Sequence, residues 1–170
     1  MARAFSAKKS KAGKPIKCGR CGEAIKPGEQ YFYFSVGFRG AKSIRCKDHR
    51  PRQSELCGSK MSGAYAALEG ATDSVNEATN VDDIKSAIES CAEEIGQVRD
   101  EYQDSYDSLP DNFRDGQQGE DIQEKIDGLQ EFEDSLSGVP DDIDGIDPDA
   151  DDVLQEARDI ATNALDAFEL

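Results

Sequence analysis

The 170-residue sequence has no Trp and a single His, and nowhere does it string together eighteen apolar residues. The last absence excludes a transmembrane helix. With one imidazole the commonest general base is scarce, which counts against a histidine-dependent hydrolase or nuclease. Hydrophobic residues make up 36% of the chain, enough for helices with narrow apolar stripes but not for a thick core. Phosphate loops, dinucleotide fingerprints and nucleophile elbows are missing. Carboxylates are so numerous, 36 in all, that no pair stands out as an acid/base couple. The start, Met1 to Lys17, is basic but lacks the apolar stretch of a secretory signal, so a cytoplasmic protein is expected.

What is present is divided sharply by charge. Residues 1–60 hold 15 of the 20 Lys and Arg and 4 of the 36 Asp and Glu, a net of +11 against −27 for the remainder. Such asymmetry predicts two parts with different tasks, or two parts that touch. Residues 1–16, with Lys8, Lys9, Lys11 and Lys14 among Ala, Ser and Gly, read as a disordered basic tail.

Cysteine number and spacing point to a metal. Five cysteines and no secretory signal speak against a disulfide framework. Cys18 and Cys21 form one Cys-x2-Cys pair, and Cys46 and His49 form a Cys-x2-His pair 24 residues on. Ligands three positions apart on a glycine-rich turn can face one ion, and Gly19 and Gly22 supply such a turn. Four soft or borderline donors in a tetrahedron are what a structural zinc takes, and a site filled by four protein ligands leaves no position for a substrate. One structural Zn2+ held by Cys18, Cys21, Cys46 and His49 is therefore expected. Cys57 reads as a small packed residue, with the alternative that it is a zinc ligand.

Between the two pairs, Tyr31 to Val36 is aromatic-rich and suits a strand, and Ala41 to Arg45 returns as a second. A knuckle, a hairpin and a second ligand pair make a treble-clef-like module over residues 17–56. The run Cys18-Gly19-Arg20-Cys21-Gly22-Glu23-Ala24-Ile25-Lys26-Pro27-Gly28-Glu29-Gln30-Tyr31 resembles the opening of LIM-type and PARP-type zinc fingers. Those families bind proteins and damaged DNA respectively, so the resemblance does not choose between them. The whole chain also resembles a group of uncharacterised phage-encoded zinc-finger proteins. That likeness is carried by Met1-Ala2-Arg3-Ala4-Phe5 with its Lys cluster, by the zinc module, by Arg50-Pro51-Arg52-Gln53-Ser54-Glu55-Leu56, and by acidic helices such as Ala92-Glu93-Glu94-Ile95. It implies a phage origin, a host-cell cytoplasmic setting and a zinc site, but no activity.

Residues 57–170 read as acidic helices near 59–78, 82–108, 120–137 and 149–168. Their apolar stripes are Met61, Tyr65, Leu68, Thr72 and Val75; then Ile84, Ile88, Cys91, Ile95, Val98 and Tyr102; then Ile122, Ile126, Leu129, Phe132 and Leu136; then Val153, Ala157, Ile160, Ala164 and Phe168. The second steps as a heptad seam. Leu109-Pro110-Asp111-Asn112 and Gly138-Val139-Pro140 are expected to break the chain, and Asp147 with Pro148 to start the last helix. An antiparallel bundle or helical hairpin follows, so the fold class is mainly α with a small zinc-bound β-hairpin module. Residues 141–152 look like a calcium loop, but aligned on Gly145 the first ligand position falls on Pro140 and the last on Asp151, which denies an EF-hand.

The basic side chains Lys8, Lys9, Lys11, Lys14, Arg20, Arg39, Lys42, Arg45, Lys47, Arg50 and Arg52, with Tyr31, Tyr33 and Phe38 among them, are candidate contacts for nucleic acid or a partner protein. The bland alternative is a solubilising tail with aromatics that cover the small zinc core. The leading expectation is a non-enzymatic zinc-binding adaptor. Its basic module would contact nucleic acid or a nucleic-acid-associated protein, while its acidic helices bind a partner or restrain that contact. The alternative is an inhibitor of a host protein, of an anti-defence or DNA-mimic type, acting through the acidic helices.

Overall fold

A computed structural model describes residues 6–10, 16–36, 42–147 and 152–168. It is mainly helical with a small antiparallel sheet, and its residues cluster into two units, Met1–Ser62 and Gly63–Leu170.

In the first unit the aromatic run forms β4 (Gln30–Ser35), the centre of a three-stranded antiparallel sheet between β1 (Ser6–Lys9) and β5 (Lys42–Cys46). β4 pairs with β5 so that Tyr31 lies opposite Cys46 and Tyr33 opposite Ile44. Alternation along β4 then sends Tyr31 and Tyr33 to one face and Phe32 and buried Phe34 to the other. The short strands β2 (Ile16–Lys17) and β3 (Ala24–Ile25) make a separate hairpin, with Ile16 opposite Ile25. The four-residue helix α1 (Gln53–Leu56) follows Arg52, whose amide donates to the Glu55 carboxylate at 3.0 Å and so fixes the helix start.

Here the structure departs from the expected disordered tail. Ser6–Lys9 is a strand, with Ala7 opposite Phe32 and Lys8 opposite Tyr31. The segment contributes no apolar bulk of its own, but β4 offers it an edge to pair with, and Lys8 lies over the Tyr33 ring at 4.1 Å. Lysines on such an edge also discourage further strand pairing. Lys11, Lys14, Phe38 and Arg39 lie outside the described residues.

The second unit is built on α2 (Met61–Glu77), α3 (Val81–Asp107), α5 (Gln117–Asp144) and α6 (Val153–Asp166), with the one-turn α4 (Asp111–Arg114) between α3 and α5. The two long helices α3 and α5 form the main packing pair. The α3 seam is buried as its spacing predicts: Ile84, Ile88, Cys91, Ile95, Val98 and Tyr102 all face inward. Asn80 starts this helix, its side chain accepting from the Asp83 amide at 2.9 Å.

Three expectations are corrected. On α2 the inward face is Met61, Ala64, Ala67, Ala71 and Val75, continued by Ala78; Leu68 is half-buried and Thr72 exposed. Alanines bury little area each, and on the same helix an added Cβ at Gly63 would lie 2.8 Å from the Val98 side chain. Helix α5 runs through Pro140 to Asp144. An interior proline costs about 3 kcal/mol or more, yet the stripe of Ile126, Leu129, Phe132 and Leu136 continues into Val139 and Ile143, both buried. Burial of those two side chains is worth about 3–6 kcal/mol, enough to carry the helix past the proline. The last helix starts at Val153, capped by Asp152, whose side chain accepts from the Gln155 amide at 3.0 Å, and not at Asp147. Its buried residues are Ala157, Ala161 and Leu165, while Phe168 packs edge-on against Tyr65 and Phe132.

Candidate metal centre

The Cys-x2-Cys pair occupies the loop of the β2–β3 hairpin. The Cys18 amide donates to Glu23 O at 2.9 Å and the Gly22 amide to Cys18 O at 2.9 Å, which closes a tight knuckle. Gly22 has φ +74°, a left-handed conformation that side chains disfavour, so glycine is required there. Gly19 sits where the knuckle meets β5. Its amide donates to Ile44 O at 2.8 Å, and a Cβ would sit 2.5 Å from Arg45 Nη1. That close approach brings the knuckle against β5, whose last residue is Cys46. The turn after β5 then carries His49 back, with its amide donating to Cys46 O at 3.1 Å.

The result is convergence. The Sγ atoms of Cys18, Cys21 and Cys46 and a ring nitrogen of His49 all lie within 4.8 Å of one another. His49 Nδ1 is 3.1 Å from Cys46 Sγ and 3.8 Å from Cys18 Sγ. A tetrahedron with ordinary zinc–sulfur and zinc–nitrogen bond lengths has edges of about 3.5–3.8 Å, so these spacings suit one ion at the centre. The cysteines are free thiols, and the four groups could hold one metal ion. Cys18 and Cys46 are buried, with Ile25 beside them and Ile16, Tyr31 and Ile44 packed around, while Cys21 is exposed.

Electrostatics favours ligation at Cys18. Burial opposes its ionisation, but contacts with the Cys21, Cys46 and Arg20 amides outweigh it and lower the thiol to about 6. The Arg20 amide points at Cys18 Sγ from 3.4 Å. Cys21 moves the other way: a contact with the Glu23 backbone favours its thiolate, yet desolvation and the neighbouring Cys18 and Cys46 leave it raised. Three thiols converging on one point cannot all ionise cheaply without a cation among them.

Cys57 stands apart, its Sγ 3.1 Å from Ser59 Oγ, outside the cluster. Cys91 is sealed in the helical core, where burial, with Glu94 nearby, pushes its thiol up to about 12.

Of the basic contact candidates, Lys8, Lys9, Arg20, Lys42, Lys47 and Arg50 are exposed, and Arg52 is half-buried. Arg45 is turned inward. It pairs with Glu55, its Nη1 donates to Ile44 O at 3.0 Å, and its guanidinium lies 5.5 Å from the Phe34 ring centroid. Desolvation works against the Glu55 carboxylate, but the hydrogen bond from Arg45 prevails and lowers it. This pair ties β5 to α1, a role that composition alone left invisible. Tyr31 is spent on the core around the ligands, and Tyr33 lies under Lys8.

Among the described residues no helix is long and apolar enough to cross a membrane. The chain matches no protein-family model, no curated protein and no solved structure.

Proposed function

We propose that the chain is a non-enzymatic zinc-binding adaptor whose Met1–Ser62 unit is a treble-clef-like finger contacting nucleic acid. The observation that carries this reading is the convergence of Cys18, Cys21, Cys46 and His49 within 4.8 Å. Three thiols and one imidazole suit zinc better than harder cations, and four protein donors leave no open position for catalysis. The ion would fix the knuckle to β5 and thereby hold the sheet that carries the exposed cations. The polymer contact would be chiefly electrostatic, because Tyr31 and Tyr33 are already engaged within the unit. Lysines and arginines neutralise phosphates whatever the base sequence.

The test is a titration of the zinc-loaded and chelated full chain with labelled single- and double-stranded DNA and RNA at two salt concentrations. Neutralising about four phosphates would weaken binding roughly a hundredfold between 50 and 200 mM salt. Chelation would abolish it. Absence of binding by the zinc-loaded chain near physiological salt would reject the nucleic-acid reading.

A second reading, an inhibitor acting through the acidic helices, is favoured by how the cations of the Gly63–Leu170 unit are used. There are five, and each has an internal partner. Lys85 pairs with Asp144, and Arg99 pairs with Asp100 and Glu133. Lys125 donates to Asp121 O at 2.7 Å, and Arg158 to Ala78 O. Arg114 donates to Asp107 O and Leu109 O at 3.0 and 3.1 Å. The outward charge is therefore almost purely negative, as a surface that fills a phosphate-binding site on another protein requires.

A further inference from the structure

One concave site of the helical unit is rimmed by a row of carboxylates. A cavity of ≈ 680 Å3 lies between the C-terminal end of α3, the α4 turn and the first half of α5. Tyr106 and Arg114 wall one side, the guanidinium of Arg114 lying 5.7 Å from the Tyr106 ring centroid. That wall is held in place by backbone. An added Cβ at Gly119 would fall 1.9 Å from Arg114 O, so only glycine lets α4 fold this closely onto α5. Glu120, Glu124, Asp127 and Glu131 step by four, three and four along α5 and therefore share the face that lines the other side.

The charge on that face is answered only in part from within the unit. Glu120, Glu124 and Glu131 have no ion pair among the described residues, and Asp127 only accepts from Gln123 at 2.8 Å. Arg114, the one cation among the cavity's lining residues, donates to Asp107 O and Leu109 O and lies 3.9 Å from Asp111, and Lys125 donates to Asp121 O, so four carboxylates stand against a single guanidinium in the lining. Next to Arg114 in the chain is Phe113, half exposed and, among the described residues, the large hydrophobic side chain most open to water. A single exposed apolar residue is ordinary. Phe113 adjoins in sequence the residue that walls the cavity, and the α5 side of that cavity carries a row of carboxylates without ion pairs, a combination that offers an apolar anchor and a charge-matched groove on neighbouring elements.

We propose that this groove docks a basic amphipathic segment of another protein, its lysines or arginines facing Glu120, Glu124, Asp127 and Glu131 and an apolar side chain meeting Phe113. The proposal rests on the reading that the acidic helices meet a partner, and it specifies where and with what chemistry. It does not depend on the metal or on nucleic acid.

The experiment uses the full chain and a fluorescein-labelled amphipathic lysine–leucine peptide, read by anisotropy near physiological salt. The comparisons are an all-lysine peptide of equal charge, the triple variant Glu120→Gln/Glu124→Gln/Glu131→Gln, the single variant Phe113→Ser, and a control triple Glu89→Gln/Glu93→Gln/Glu156→Gln elsewhere on the same unit. All substituted residues are exposed, so circular dichroism should show unchanged helix content. The rim triple should weaken the lysine–leucine peptide about tenfold and Phe113→Ser about threefold, while the control triple changes it by less than about twofold. The all-lysine peptide should bind more weakly and ignore Phe113→Ser. Equal losses from the two triples would show diffuse attraction to a polyanion and overturn the proposal, as would an unaltered affinity in Phe113→Ser. Chelation should leave the peptide affinity unchanged, so a failed metal site and a failed groove give different results.

Discussion

In the Met1–Ser62 unit the cluster around the ligands consists of Cys18, Ile25 and Cys46, with Ile16, Tyr31 and Ile44 against it. In the Gly63–Leu170 unit one helix, α3, buries Ile84, Ile88, Cys91, Ile95, Val98 and Tyr102 along a continuous seam. The first unit has little apolar area around its candidate ligands, and the close approach at Gly19 and the left-handed turn at Gly22 both shape the knuckle that carries Cys18 and Cys21. The second has the reverse composition: no convergent metal ligands among its described residues, and side chains that reach zero exposure at Ile84, Ile88, Ile95, Leu129 and Leu136. If the first unit binds its metal as proposed, the contrast would separate two sources of folding energy within one chain, ligation in one unit and apolar packing in the other.

The largest effect that would sharpen this contrast is removal of the metal. Ligation in small zinc modules supplies apparent free energies of about 10–16 kcal/mol near neutral pH. Chelation, or Cys46→Ser, should therefore collapse the amide dispersion of residues 16–50 in NMR spectra while the helical signals of residues 81–144 persist. Retention of a dispersed spectrum for the first unit after chelation would break the comparison.

Next in size is a cavity in the seam. Leu129, fully buried, cut to Ala should cost the helical unit about 3–5 kcal/mol in denaturant unfolding. Metal affinity should be unaltered. A comparable loss of metal affinity would mean the two folding reactions are not separate.

A smaller change has the opposite sign. Pro140→Ala returns an amide to the interior of α5 and should raise the stability of the helical unit by about 1–3 kcal/mol. Unchanged or lower stability would show that the proline ring is itself an essential packing element.

Smallest is the Arg45–Glu55 pair. Glu55→Gln should lower the stability of the metal-bound first unit by about 1 kcal/mol, discounted for the partial exposure of both side chains. The carboxylate is lowered on folding from its usual 4.5. Its contribution is thus complete above that value and is lost as the pH falls through the lower folded value. The wild-type advantage over Glu55→Gln should shrink over that acidic window and stay constant above it.

What could be read in the sequence follows from how strongly each residue type announces its role. The four ligands are chemically conspicuous and their spacing is local, so the set was legible before the knuckle and the turn were seen to converge. The α3 seam was legible because isoleucine occupies the seam at Ile84, Ile88 and Ile95. The α2 face was not, since Ala64, Ala67 and Ala71 carry little hydrophobic signal, and the larger Leu68 and Tyr65 drew the stripe to the wrong side. Strand β1 was hidden because its stability comes from Gln30–Tyr33, more than twenty residues away, and not from its own composition. Pro140 misled for the complementary reason: a local rule for ending helices was overridden by Val139 and Ile143 on the core side. The role of Arg45 could have been suspected only from the pairing of Glu55 with the β5 end, which is again a non-local fact.

The internal commitment of Lys85, Arg99, Arg114, Lys125 and Arg158 has a colloidal consequence. A typical protein surface is a mosaic, and two copies that meet can rotate until opposite patches face each other. The helical unit leaves few positive patches for such a search among its described residues, so its copies repel in nearly every mutual orientation at low ionic strength. For the Gly63–Leu170 unit taken by itself, added salt should weaken that repulsion evenly rather than reveal a preferred contact, a signature that light scattering can read directly as a second virial coefficient falling smoothly with ionic strength.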